Sequence, residues 1–290
     1  MAALPGSVAP ESSRAARARV LADPTWEVLP LRNGREQAAA LPAGATASVT
    51  ASPAKGLEAT FDLAVELRAA GLNAVPHLSA RMVRDEAQLR GLLGRAADAG
   101  IDRLFVVGGD EQQPGAYADG LAVLRAITDL GLRPAHVGIP CYPQGHPQIP
   151  DDVLLRALHD KAPLADSMTT QLCFDAKAIA RWIADRRAEG IELPVRIGIP
   201  GVAEIPKLLS ISARIGVRDA SRFVLKNRRF VGQLLKSGGI YRPSGLLDDL
   251  APLIADPAAK VIGLHVYTFN NVGPSVAWRD EYASRLAHRA

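Results

Sequence analysis

The chain has 290 residues, of which 48% are hydrophobic and 22% charged, with two cysteines and a formal net charge of +4. This composition is typical of a globular protein and excludes a disordered chain, a collagen-like chain and a disulfide-stabilised scaffold. The basic excess comes from scattered Arg residues, and the densest cluster, at 226–229, has too few charges to follow a phosphate backbone. We therefore expect no binding to nucleic acid.

Three sequence features favour a cytoplasmic location. No apolar run is long enough to cross a bilayer, so we expect no association with a membrane. Residues 1–20 lack the hydrophobic centre of a secretory signal. Cys141 and Cys173 have neither metal-ligand nor redox spacing, which fits a reducing compartment.

From about residue 24, short β-branched and apolar runs alternate with longer segments of helical periodicity. The runs predict eight strands, at 26–31, 47–52, 74–79, 104–109, 135–142, 168–174, 195–200 and 261–269. The intervening segments predict helices at 57–70, 86–99, 117–130, 151–164, 175–189 and 204–215, with further helical patterns at 220–238 and 245–255.

Eight strand-then-helix units predict an α/β fold, a (β/α)8 TIM barrel with extra helices in the seventh unit. A doubly wound sheet is disfavoured because no G-x-G-x-x-G follows the first strand. We expect a single barrel domain over 25–290, preceded by a flexible N-terminus over 1–24.

Active sites of such barrels lie at the C-terminal ends of the strands, so the polar residues there are the candidates. They are Glu27, Arg32, Thr50, Ser52, His77, Ser79, Asp110, Glu111, Tyr142, Gln144, His146, Thr170, Gln171, Asp175, Glu204, His265, Tyr267, Thr268 and Asn270. Many strand-end hydroxyls only satisfy a neighbouring backbone group, and this reading stays open for Thr50, Ser52 and Ser79.

Glu27 is the sharpest candidate, because a carboxylate flanked by Trp26 and Val28 is costly to desolvate without a partner or a function. If the side chain is buried, it keeps its proton more easily and can act as a general acid near neutral pH. The alternative is that strand alternation points Glu27 outwards, towards a helix Arg. Asp110 has two readings. It contacts a ligand that the two preceding glycines allow to approach the backbone closely, or it is an ordinary turn residue.

The sequence lacks the catalytic residues that several reaction classes require. No Lys lies within a strand end, Lys55 being the nearest, which disfavours a Schiff-base aldolase. His77, His146 and His265 come from different units without a metal-binding motif, so we expect no metal. There is no G-x-S-x-G for acyl transfer. The remaining inventory suits binding a flat heterocycle and protonating it.

The motifs resemble those of the methylenetetrahydrofolate reductase family, of the bacterial single-barrel kind. WEVLP at 26–30 resembles the family's F-E-F-F-P, PHLSARM at 76–82 resembles P-H-L-T-C, and YPQGHP at 142–147 resembles Y-P-E-x-H-P. The other matches, in the same order along the chain, are SVT at 48–50, VVGGD at 106–110, TQLCFD at 170–175, IPG at 199–201 and HVYTFN at 265–270.

The resemblance implies reduction of 5,10-methylenetetrahydrofolate to 5-methyltetrahydrofolate, with hydride passing from NADH or NADPH through FAD. It implies that Glu27 protonates N10 of the folate, that Asp110 stabilises the resulting cation and that Gln171 binds the pterin, with Tyr267 and Phe269 also contacting the substrate. The positions that it implies for the cofactor are Thr50, His77, Gly108, Gly109, Tyr142, His146 and Lys161.

The chain departs from the family pattern where the cofactor would bind. Gly108 replaces the family's Arg, the helix after the fifth strand offers only Arg156 and Lys161, and the segment after the seventh strand lacks the expected aromatic residue. Asn271 also replaces an Arg. A flavin-independent reductase, in which NADH reduces the folate directly, therefore stays open. A non-catalytic folate-binding or pterin-binding barrel, a homo-oligomer and either reaction direction also stay open, whereas an unrelated barrel lyase is disfavoured.

Overall fold

The computed structural model describes residues 11–214 and 239–288. Eight parallel strands close into a barrel in the order β1-β10-β7-β6-β5-β4-β3-β2. The strands are β1 Thr25–Val28, β2 Thr46–Val49, β3 Asn73–Ser79, β4 Arg103–Val107, β5 His136–Cys141, β6 Ser167–Thr170, β7 Val195–Pro200 and β10 Val261–Tyr267. The predicted (β/α)8 barrel is confirmed. Several strands end earlier than predicted, and the residues that follow them belong to the loops above the barrel.

Helices surround the barrel. They are α1 Ser13–Ala22, α2 Gly34–Ala38, α3 Gly56–Ala69, α4 Glu86–Asp98, α5 Gly120–Asp129, α6 Asp151–Lys161, α7 Ala176–Ala188, α8 Ile205–Arg214, α9 Ser244–Asp249, α10 Ala251–Ala255 and α11 Val272–His288. The predicted extra helices of the seventh unit include α8, α9 and α10, and a short antiparallel pair, β8 Ala203–Glu204 with β9 Ile240–Tyr241, accompanies them. The predicted helix at 220–238 and the basic cluster at 226–229 lie outside the described residues.

The prediction of a flexible segment over 1–24 is wrong for residues 13–22, which form α1. Ser12 caps this helix by accepting a hydrogen bond from the Ala15 amide, and Ala16, Val20 and Leu21 are buried. Arg19 Nη1 donates to the Val261 carbonyl at 3.0 Å, which fixes α1 beside the start of β10. The pattern was missed because three buried apolar residues in an Arg-rich helix give a weak periodic signal. Residues 1–10 lie outside the described part of the chain.

The two faces of the barrel strands differ in polarity. Outward residues such as Trp26, Val28, Ile139 and Met168 are fully buried against the helices and form the hydrophobic core. The interior holds a small chamber of about 30 Å³, to which all eight barrel strands contribute and whose lining is largely polar. No helix in the described ranges is long and apolar enough to cross a membrane.

Candidate active site

Glu27 lies on the interior face of β1, near the C-terminal mouth of the barrel. The residue is only 8% exposed, and its Oε2 lies 3.9 Å from Nε2 of His265, which is 3% exposed. The Thr268 hydroxyl donates to the Glu27 carbonyl at 2.6 Å and so holds the backbone at this position. Of the two orientations that the sequence left open, the structure has the inward one.

His77 lies deep in the mouth of the barrel. Its Nε2 shares a hydrogen bond of 2.7 Å with Ser48 Oγ, and its ring packs against Phe105 with the centroids 4.8 Å apart. Burial, with a smaller contribution from nearby His265, lowers the pKa of His77 to about 3. His77 is therefore a neutral imidazole that can offer only one donor and one acceptor.

Tyr267, at the end of β10, completes the wall beside Glu27. Its ring lies 4.7 Å from that of His265, and its hydroxyl donates to the Thr170 carbonyl at 3.0 Å. Burial, reinforced by the Glu27 charge, raises the Tyr267 pKa well above its ordinary value. Tyr267 is consequently an uncharged aromatic wall with its hydroxyl already committed.

Phe269 and Asn270 follow Tyr267 in the left-handed region, with φ of 53° and 54°. Asn270 Oδ1 accepts from the Leu29 amide at 2.8 Å, which ties this loop to the end of β1. Phe269 packs on a small satellite cluster that includes Phe174 and Tyr241. These three rings lie near the segment that follows the seventh strand, where the sequence lacks the aromatic residue that the family has.

The loop after β4 carries Gly108, Gly109 and Asp110. Gly109 has φ of +93°, and a Cβ there would lie 2.2 Å from Ser79 Oγ, so only glycine fits. Asp110 is exposed, and its charge acts on Tyr142 and His146 of the next loop. Arg81 secures this loop by donating to the carbonyls of Glu111, at 2.5 Å, and of Gln112 and Ala118.

Tyr142 and His146 form an edge-to-face pair above β5, with their centroids 5.5 Å apart. Burial raises the Tyr142 pKa to about 12 and lowers the pKa of His146, although Asp110 opposes the latter shift. Both rings are therefore neutral near pH 7 and can pack against a flat ligand.

Lys161, the last residue of α6, is half-buried and makes no hydrogen bond or ion pair with the described residues. Burial lowers its pKa, while Asp119, the N-cap of α5, partly offsets this. A Cβ placed on Gly120 would lie 3.7 Å from both Lys161 Cδ and the Gly108 nitrogen. The lysine stem, the N-terminus of α5 and the end of β4 thus converge, an arrangement that suits a phosphate group.

A cleft of about 330 Å³ opens between the outer side of β5 and helices α6 and α7. Lys161 lines it together with Tyr142, Trp182 and Gln144, whose buried Oε1 has no hydrogen-bond partner in the described part of the chain. Both polar groups can still bind a ligand.

The two remaining predicted residues offer limited contacts. Gln171 Oε1 accepts from the Leu172 amide at 2.8 Å, which occupies one of its two lone pairs and leaves its NH₂ group available to a ligand. The Thr50 amide and carbonyl are engaged by Val28 and Thr60, whereas its half-buried side chain makes no hydrogen bond to the described residues.

The structure brings the predicted residues together in two groups. Glu27, His77 and Tyr267 share the barrel mouth, whereas Asp110, Tyr142 and His146 occupy the loops after β4 and β5. Sequence reasoning did not select Ser48 or Arg81, and it named His265 among the strand-end candidates without giving it a role in the proposed reaction, although strand alternation places Ser48 and His265 on the same face as Glu27. No group of three metal-ligating side chains occurs within 11–214 and 239–288.

The chain is similar to one protein family and to two solved structures. The family model described as methylenetetrahydrofolate reductase matches residues 38–273. The chain is similar in structure to a "putative lyase/mutase" from Burkholderia cenocepacia J2315, with 16% identity and a TM-score of 0.46 over 95% of this chain and 85% of that one. A "putative phosphonomutase" from the same organism has 15% identity and a TM-score of 0.42 over 69% and 87% of the two chains. Neither activity is transferred to this chain.

Proposed function

The chain belongs to the methylenetetrahydrofolate reductase family, and from this premise we propose that it interconverts 5,10-methylenetetrahydrofolate and 5-methyltetrahydrofolate, with Glu27 as the general acid. The observation that carries the proposal is the buried, inward-facing carboxyl of Glu27 at the mouth of the barrel. Glu27 precedes the first residue of the family match, but β1 pairs with β2 and β10, which both lie within it.

In the reductive direction, Glu27 donates its proton to N10 of the folate. The N10–methylene bond breaks, the five-membered ring opens, and a 5-iminium cation forms on the substrate. General acids of this kind contribute about 10²- to 10⁴-fold to the rate. Hydride addition to the exocyclic carbon then gives the methyl group.

Other residues bind the pterin and stabilise its charge. Asp110, exposed at the end of β4, provides a negative charge for the iminium cation. The NH₂ group of Gln171 donates to an acceptor on the pterin. Tyr267 and Phe269 provide apolar surface for the flat ring, and the left-handed backbone at Phe269 and Asn270 is the kind of strain that functional sites retain.

The residues present fit a dinucleotide cofactor. The free ammonium of Lys161 beside the α5 N-terminus suits a pyrophosphate, and the Gln144 oxygen offers an acceptor. Bound FAD would accept hydride from NADH or NADPH and pass it to the folate. Thr50, His77, Gly108, Gly109, Tyr142, His146 and Lys161 would hold it, as the resemblance implies.

A flavin-independent reaction is the second candidate, favoured by Gly108. Gly108 at the end of β4 has no side chain, and Arg81 already donates to three carbonyls of this loop, which leaves Lys161 as a cation for a phosphate. Direct transfer from NADH needs the same general acid and the same pyrophosphate contact.

Two measurements test the proposal. A visible spectrum of the purified protein distinguishes the two routes, because a stoichiometric flavin band excludes the flavin-independent one. NADH oxidation that requires methylenetetrahydrofolate excludes a barrel that only binds folate. Absence of that oxidation with NADH and NADPH, with and without added FAD, would contradict the proposed function.

A further inference from the structure

His265, the ionisable neighbour of Glu27, lines a chamber inside the barrel. The chamber contains side chains from every barrel strand, among them Thr25, Ser48, Thr169 and His265. TIM-barrel interiors are usually filled by branched apolar residues, so this lining is unusual. Its volume of about 30 Å³ is sufficient for a water molecule with several hydrogen-bonding partners.

His265 lies between Glu27 and this chamber. Its Nε2 is 3.9 Å from Glu27 Oε2, a gap that one small rotation or one bridging water would convert into a hydrogen bond. The side chain also lines the chamber. His265 therefore contacts both the acid and the polar interior.

Other titratable groups near Glu27 are already engaged. His77 Nε2 is bonded to Ser48, and the Tyr267 hydroxyl donates to the Thr170 carbonyl. Among the described residues, only His265 forms an ion-pair contact within 4.0 Å of the Glu27 carboxyl.

We propose that His265 returns the proton to Glu27 after each turnover, a role that rests on the proposed function. Protonation of N10 leaves Glu27 as a carboxylate. The His265 imidazolium gives its Nε2 proton to Oε2, directly or through one water, and becomes neutral. A proton from solvent, carried by water in the chamber, restores the imidazolium, so each turnover consumes one solvent proton.

Charged and titratable groups surround His265 from several strands. The Glu27 carboxyl lies 3.9 Å from its Nε2, and Arg103 and Arg196 line the chamber with it. His77 and Tyr267 face His265 from β3 and from its own strand, and His136 lines the chamber from β5.

The test compares His265→Gln with His136→Gln, a matched control in the same chamber whose imidazole bonds Ser167. In His265→Gln, the hydride-transfer rate of a single turnover stays near that of the wild type, because one turnover does not require the return of a proton to Glu27. Steady-state turnover falls about tenfold or more, because the acid must be recharged, and added imidazole restores it in proportion to the imidazolium concentration. His136→Gln keeps both rates.

Equal loss of both rates, or loss that imidazole does not rescue, would assign His265 a purely structural role and overturn the proposal. Glu27→Gln, followed by the ¹⁵N chemical shifts of the His265 ring at one fixed pH, requires neither folding of the His265 variant nor folate turnover. The Nε2 shift should change in this variant, since the group 3.9 Å away changes from a carboxyl to an amide, and an unchanged shift rejects the pairing. Failure of the proposed function would instead appear as an inactive wild type.

Discussion

Ser48 Oγ and His77 Nε2 lie 2.7 Å apart on adjacent strands inside the barrel, where both residues are buried. This hydrogen bond occupies one ring nitrogen and fixes the orientation of the imidazole. Because burial also keeps the ring neutral, His77 is a rigid polar element of the mouth and not a proton donor at pH 7.

We predict that this buried histidine makes stability depend on pH. The folded-state pKa, about 3, lies below the ordinary value of 6.5, so the unfolded chain binds a proton that the native chain does not. The contribution is fully present above the unfolded pKa and is lost as pH falls from 6.5 towards 3, at up to about 1.4 kcal/mol per pH unit. Urea unfolding at several pH values should show a shallower acid slope in His77→Gln.

The surface variant Gln113→Asn, which removes no titratable group, is the control, and its slope should match that of the wild type. Equal acid slopes in His77→Gln and the wild type would contradict the prediction. Because burial lowers the His136 pKa as well, some pH dependence should remain in His77→Gln.

We predict that Glu27→Gln lowers folate-dependent turnover by about 10²- to 10⁴-fold, because the amide cannot supply a proton to N10. NADH oxidation by an artificial acceptor, if the enzyme carries flavin, should be unaffected. Glu36→Gln, an exposed change on α2, is the matched control. A Glu27→Gln enzyme with the wild-type folate rate would eliminate the general-acid role.

We predict that Lys161→Met weakens dinucleotide binding by about tenfold or more, because a hydrogen bond to a charged group contributes about 1.5–3 kcal/mol. Isothermal titration with FAD and with NADH measures the loss and shows which of the two depends on Lys161. Lys177→Met, an exposed change on α7, should have no effect. Unchanged affinity for both ligands in Lys161→Met would remove the lysine from the site.

We predict that Gly108→Arg strengthens binding of the dinucleotide, FAD or NADH, whose affinity depends on Lys161. A Cβ at Gly108 meets nothing within 4 Å, so the substitution needs no rearrangement of neighbouring atoms. An arginine there adds a cation beside Lys161 that can form a bidentate pair of hydrogen bonds with a phosphate. The flavin retained through purification should increase, with Gly108→Gln as the uncharged control. A gain in both variants would point to packing and not to charge.

The sequence was a good guide to the barrel because the outward faces of the strands, such as Val28 and Ile139, are apolar in a parallel sheet that helices cover. It was a poorer guide to the inner face. That His265 lies beside Glu27 depended on the register between β1 and β10, which no local pattern encodes. The satellite cluster of Phe174 and Tyr241 was missed for a similar reason, since it needs segments distant in sequence to pack together.

Asn270 provides a final prediction, because it connects the substrate loop to the strand that carries Glu27. Its side chain accepts from the Leu29 amide at 2.8 Å and donates to the Leu29 carbonyl at 3.3 Å and to Asn33 Oδ1 at 3.2 Å, from a left-handed backbone. Asn270→Ala loses all three bonds and strains the alanine, so unfolding free energy should fall by about 1–3 kcal/mol. The KM for folate should also rise, because Phe269 loses its anchor.

Two further variants separate these effects. Asn270→Gly relieves the backbone strain without restoring the hydrogen bonds, so it should recover part of the stability but not the KM. Asn73→Ala removes a comparable bond, from Asn73 Nδ2 to the Gly44 carbonyl, at the opposite end of the barrel. It should lower stability and leave KM unchanged. If Asn73→Ala raised KM as much as Asn270→Ala, general loosening of the barrel, and not the link to Leu29, would explain the result.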